Sequence, residues 1–522
     1  MLGVAKIKQR FPKTVYWDPA VSAGSSLGGA GTWNLTTQNW WDGASGSDQL
    51  WVQSPDKAVF WGASAGTVTV SVPVTCGGMI FKTNNYQISN SANTISFIGE
   101  TEITLEVAAA RINGTSVAGN GNVTLTGLGS FASIIRFTSN TNTGWSGIST
   151  LIDITLQFEN QNKVLANTSA IALYNGRLYI VSGSGTQAGN NRINDSAPWT
   201  VNGGAFWYQT MKDTDNWRET IGVVTTVSGQ FDVYEPFDKD PFALTQNVYI
   251  TGLVHMDGSA VTFSAAGAGL QITYNRIQVV GETPTSAGQV IGAWATAGTS
   301  PDLQTDYAIY DASAWVIPAA IAASAESTWT TAANAYTFDS APTLSATRTI
   351  TALRNSGGAL TLALGNYYLE TYGLLNGGTG LLTVSTAGTG ALRTPTGGGY
   401  LYITTGNAAI TISAPITDNG GAVSLVKSGT GGILTLSGTN TYTGSTIINA
   451  GTLSISSSSS LPGTAVSLQS TAVLNLNFVG TKTVASFSVD SVDQGTGTFG
   501  AIGSGADHET ALISGTGLLS VS

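Results

Sequence analysis

Along most of its length the chain alternates apolar with small polar residues. GTVTVSVPVT, NTISFIGETEITLEV, GNVTLTGL, RLYIVSGSG, LTLALGNYYLETYGLL and NAAITISAPI all run with period two. That period places successive side chains on opposite faces of a strand. Each run is short, rich in β-branched or aromatic residues, and bounded by Gly, Asn or Ser. Helical spacing is confined to AWVIPAAIAASAES (Ala314–Ser327), and Pro318 breaks it. Short strands at steady spacing, each closed by a turn signal, predict an all-β sandwich, propeller or solenoid.

Repetition favours the solenoid. From about residue 345 the sequence pulses between strand and Gly-rich corner, as in ALRNSGGALTLAL, GLLNGGTGLLTVSTAGTGAL, TDNGGAVSLVKSGTGGILTLSG and NAGTLSIS. Such phrases read as rungs that cannot bury their apolar face alone and must stack. The predicted architecture is a right-handed β-solenoid in the C-terminal part, a capped β-rich N-terminal part, and a compact β insertion between them. Four segments are expected: a basic arm over 1–15, a β-rich region with a Trp-rich cap over 16–189, an aromatic and acidic insertion over 190–330, and the solenoid over 331–522. The cap is assigned to Trp17, Trp33, Trp40, Trp41, Trp51 and Trp61, because an open solenoid end leaves unpaired backbone.

The stretch LVKSGTGGILTLSGTNTYTGSTIINAGTL (Leu425–Leu453) resembles the autotransporter-associated β-strand repeat. The resemblance rests on Lys427, Gly429, Gly432, Leu434, Leu436, Gly438, Asn440, Tyr442, Gly444, Thr446, Gly451 and Leu453. The Trp-rich opening resembles the flank that precedes such repeats, and the final HETALISGTGLLSVS resembles a closing rung. The resemblance implies an elongated, surface-exposed β-helix whose repeat carries no catalytic residues. It also implies a secretion signal and a membrane barrel, and neither is expected from these 522 residues. A phage virion protein, which lysis releases, needs neither.

Composition narrows the choice. Charged residues make up 10% of the chain and Gly numbers 65, while 42% of positions are apolar. Hydroxyl-rich surfaces over a large core suit extracellular or virion β-proteins, and disorder is excluded. A formal charge of −10 argues against nucleic-acid binding. The single cysteine, Cys76, forms no intrachain disulfide and is expected in the core.

Candidate chemistry is sparse. With two histidines, His255 and His508, and one cysteine, neither nucleophilic catalysis nor a zinc site is expected. The carboxylates Asp213, Asp215, Glu219, Asp232, Glu235, Asp238 and Asp240 are candidate acids. Trp199, Trp207, Tyr208, Trp217, Tyr234 and Phe237 are candidate sugar platforms beside them. Two carboxylates roughly 5–10 Å apart would suit glycoside hydrolysis. The simpler reading of the same acids is a solvated surface; Ca²⁺ ligation is a lesser option, since the loop spacing of a calcium site is missing. Lys6, Lys8, Arg10 and Lys13 are candidates for attachment to a negatively charged surface.

The functional expectation is a non-enzymatic structural or adhesive surface protein, most concretely a phage virion fibre, spike or capsid decoration. It would be a homo-oligomer, with a trimer guessed, attached through its N-terminus and in contact with host surface polysaccharide. No cofactor is expected beyond the calcium option. The alternatives are a bacterial autotransporter-like passenger or adhesin fragment and a glycan-degrading tailspike.

Overall fold

The computed structural model describes residues 12–522 apart from 45, 54, 90–92, 114–115, 130, 139–143, 160–162, 183–191, 211–216, 237–245, 268 and 271–274; of 210 and 217 it describes the backbone. The described residues are strands and turns, with two single 3₁₀ turns at Glu326–Thr328 and Ser458–Ser460. The Ala-rich stretch with helical spacing supplies a strand, Trp315–Pro318, and the first of those turns. They divide into two compact units, one from 12–172 with 180–182 and 192–197, the other from 173–179 with 198–522.

In the first unit the strands stack in parallel register. One column runs Val15, Ala58, Met79, Ile103, Leu125, Leu151, each the register partner of the next. A second runs Val68, Ile88, Ile112, Phe137, Phe158. All of these residues are buried. Period-two alternation thus becomes a continuous core when rungs stack. The stack ends where Trp40–Trp41 pairs antiparallel to Thr14–Trp17. There Trp17, Trp33, Trp40 and Trp51 are buried and packed ring against ring, with centroids 4.7 to 5.1 Å apart. Burying such a ring is worth about 5 kcal/mol at most, from roughly 200 Å² each. Trp61, by contrast, is 47% exposed.

The second unit contains two stacks. In the C-terminal stack one column runs Leu382, Ile410, Leu434, Leu453, Leu474, Ile513. Between it and its inward neighbour column lies a polar row, Thr361, Thr383, Thr411, Thr435, Ser454 and Asn475. The alternation seen in the sequence therefore sorts into an apolar inner face and a hydroxyl outer face. In the other stack, Phe206, Val233, Phe263 and Ala297 form an equivalent buried column. Antiparallel pairing among Ala295–Ser300, Leu303–Tyr310 and Trp315–Pro318 ends it.

The two stacks of this unit pack on each other. Ala293 and Tyr307 meet Ala352, Leu375, Tyr402 and Val426 in a shared apolar seam. Hydrogen bonds cross it: Gly429 N donates to Gln230 Oε1 (2.9 Å), and Asn449 Nδ2 donates to the Gly258 carbonyl (2.8 Å).

Candidate functional site

Of the acidic and aromatic residues singled out from the sequence, the long strand Trp217–Glu235 carries Glu219, Asp232, Tyr234 and Glu235, and its parallel neighbour Trp199–Thr210 carries Trp199, Trp207 and Tyr208. Phe231, Val233 and Glu235 are buried on one face, which directs Asp232 and Tyr234 to the other. Tyr234 is the register partner of Trp207, and their rings sit 5.2 Å apart. Tyr179 meets the same indole at 5.6 Å, and the Arg177 guanidinium lies 3.7 Å from the indole ring centre. Asp232 accepts from Thr262 Oγ1 (2.6 Å) and Gln230 Nε2 (2.9 Å). Desolvation pushes its carboxyl up to about 6, against those hydrogen bonds and the pull of Arg177.

Of the expected acids, the described residues place Asp232 and Glu235 on opposite faces of this strand. Glu235 is fully buried on the opposite face, and burial pushes its carboxyl well above the usual range despite the Gln246 side chain. Glu219 is fully buried as well. The carboxylate that does act on Asp232 is Asp302, from outside this strand, and it helps to hold the Asp232 carboxyl up. Asp213, Asp215, Asp238, Asp240 and Phe237, and the side chain of Trp217, lie outside the described residues. The platform role does not fit Trp199 or Tyr208, which are buried to 1% and 0% exposure. Trp207 and Tyr234 are half-buried. No group of three or more His, Cys, Asp or Glu is placed to hold a metal ion among the described residues.

Lys6, Lys8 and Arg10 also lie outside the described residues. Lys13 is exposed, with its backbone N–H donating to Asp56 Oδ1 (2.8 Å). Cys76 is buried, and its thiol is pushed up to about 12 by desolvation. His508 is exposed and stacks on Phe499. His255 lies flat on Trp294, with ring centres 4.0 Å apart and planes 5° from parallel. That pairing across 39 residues has no sequence signature.

The repeat stretch explains its own motif. Leu425, Leu434, Leu436 and Leu453 fill inward positions. Asn440 ties neighbouring rungs: its Oδ1 accepts from Ile416 N (2.8 Å) and its Nδ2 donates to the Ser460 carbonyl (2.7 Å). Tyr442 is buried, with its hydroxyl 2.7 Å from Thr446 Oγ1. A Cβ at Gly444 would stand 2.4 Å from the Val423 carbonyl oxygen, so only Gly lets the rungs close. Lys427 is fully buried, and its Nζ donates to the carbonyls of Ser428, Gly429 and Ala450.

Stacked parallel rungs with this motif define an all-β, solenoid-like protein bearing an autotransporter-associated repeat. Residues 425–455 match the Passenger-associated-transport-repeat. The chain is also similar to the adhesin BmaC autotransporter of Brucella suis biovar 1 (strain 1330), at 33% identity over 152 residues. That match covers 27% of this chain and 4% of the adhesin, so the chain spans a small part of its relative. No solved structure matches it.

Proposed function

We propose that this chain is part of a surface-displayed, adhesin-like passenger, with a structural and adhesive role rather than a catalytic one. The observation that supports the reading most is the repeat at 425–455, whose strands pair with each other as successive rungs of a parallel ladder that continues on both sides. The similarity to an autotransporter adhesin points the same way. Of the surface roles left open by the sequence, these observations favour the bacterial passenger over the virion fibre, spike or decoration, and with it a cell-surface or extracellular location. Parallel rungs pair every interior strand on both sides, which leaves no aggregation-prone edge within a stack. The Thr and Ser rows keep its exterior hydrated without charge.

The test is display. The chain is fused between a secretion signal and an outer-membrane barrel in a non-adherent Gram-negative host. Added protease should release it from intact cells, and displaying cells should adhere to epithelial monolayers more than cells bearing the barrel alone. Display without adherence would remove the adhesive role. Failure to reach the surface, with the barrel inserted, would count against the passenger role.

A further inference from the structure

At the seam between the two stacks of the second unit lies a cavity of about 420 Å³. One wall comes from the stack that carries His255 and Trp294, the other from the C-terminal stack through Tyr372, Tyr400 and Tyr402. From the geometry we infer that this groove binds a neutral saccharide, a site that deepens the adhesive reading and rests on it.

Four aromatic rings converge there with one carboxylate, Asp257. Trp294 and Tyr400 are half-buried and Tyr372 is 38% exposed, so ring surface faces the cavity. A pyranose presents an apolar C–H face and a rim of hydroxyls. Aromatic faces take the first through dispersion and burial, and an exposed carboxylate takes the second through paired O–H donors. The cavity is of ligand size. It is larger than a trimethylammonium head needs, which separates it from a tight aromatic cage around a cation. Asp257 is the charged group on the lining, and the chain carries −10 overall. Sulfated or sialylated glycans are therefore disfavoured and uncharged ones accepted.

The walls are held in place rather than collapsed on each other. His255, itself part of the lining, is held by the Ser259 carbonyl (3.0 Å) and stacks flat on the indole, which fixes the ring. Tyr402 Oη accepts from Gly258 N (3.0 Å), which fixes the turn bearing Asp257 to the opposite stack. A Cβ at Gly292 would come within 2.2 Å of the indole Nε1, so this glycine makes room for the ring. Preorganised rings lose little entropy on binding, the property a weak, repeated glycan contact requires.

The test uses the purified full chain titrated with mannohexaose, laminarihexaose and chitohexaose, read by intrinsic tryptophan fluorescence and by calorimetry. At least one hexaose should bind saturably, and Trp294→Ala should weaken it by roughly tenfold or more. Tyr372→Ser, at an exposed position, should weaken it with an unchanged melting temperature, which separates lost contact from lost fold. Val479→Asp, at a 93% exposed position outside the groove, should bind as the parent does. No binding by any hexaose, saturation by choline instead, or binding unaltered by both groove variants would overturn the inference. Because the readout is in vitro, adherent cells whose protein binds no hexaose would remove this site and leave the adhesive reading standing.

Discussion

The Lys427 Nζ lies 2.5 Å from the Gly429 carbonyl oxygen, inside a column whose register neighbours are Ile403 and Ile448. An amine thus stands where the stack otherwise places branched aliphatic residues. Three carbonyls receive its protons, and each belongs to a corner of the repeat, so the side chain pins two successive corners together.

Desolvation lowers the Lys427 pKa to about 7 from an ordinary 10.5. Between those values the unfolded chain holds a proton that the folded chain has released. Stability therefore rises with pH across this window and is insensitive to Lys427 below it. The slope approaches about 1.4 kcal/mol per pH unit inside the window, because one bound proton separates the unfolded from the folded chain there. Urea unfolding at several pH values from about 7 to 10 should show this rise in the parent and lose it in Lys427→Met. Parallel profiles in the two proteins would mean the lysine is not depressed.

Asp232 runs the other way. Its folded value of about 6 lies above the ordinary 3.8. The folded state then binds the extra proton between the two, and the stability it contributes is lost as pH rises through about 4 to 6. Asp232→Asn should flatten that window and, at pH 7, raise stability by on the order of 1 kcal/mol, since the Thr262 and Gln230 hydrogen bonds and Arg177 offset part of the burial cost. Denaturant midpoints for both proteins at pH 4 and about 7 decide it.

Asn440→Ala removes the acceptor for Ile416 N and the donor to the Ser460 carbonyl at a position 6% exposed. Two buried backbone groups lose their partner, which costs about 2–4 kcal/mol in total. Because each rung contacts mainly its neighbours, hydrogen exchange should accelerate around residues 416 and 460 before it does at the Trp17 cluster. Uniform acceleration would show that the two units do not unfold independently.

Part of the candidate site could have been sorted from the sequence alone. Asp232 and Glu235 are three residues apart on a strand, so strand parity sends them to opposite faces and rules them out as a catalytic pair. The same parity places Lys427 on the inward face in LVKS, between Val426 and Ser428. What parity leaves open is depth. Trp199 and Tyr208 read as sugar platforms by residue type, yet they are core residues because neighbouring rungs close over them.

Local alternation determined that the chain forms strands with one apolar and one hydroxyl face, and its Gly-rich corners determined where each rung turns, because both depend on residues a few positions apart. Which rung lies over which, and which stack packs on which, was decided only by the tertiary structure. His255, Trp294, Tyr372 and Tyr400 are far apart in sequence. They line one cavity because two stacks bury a shared apolar seam, and burial is non-directional: it rewards covered area without recording which distant residues it brings together.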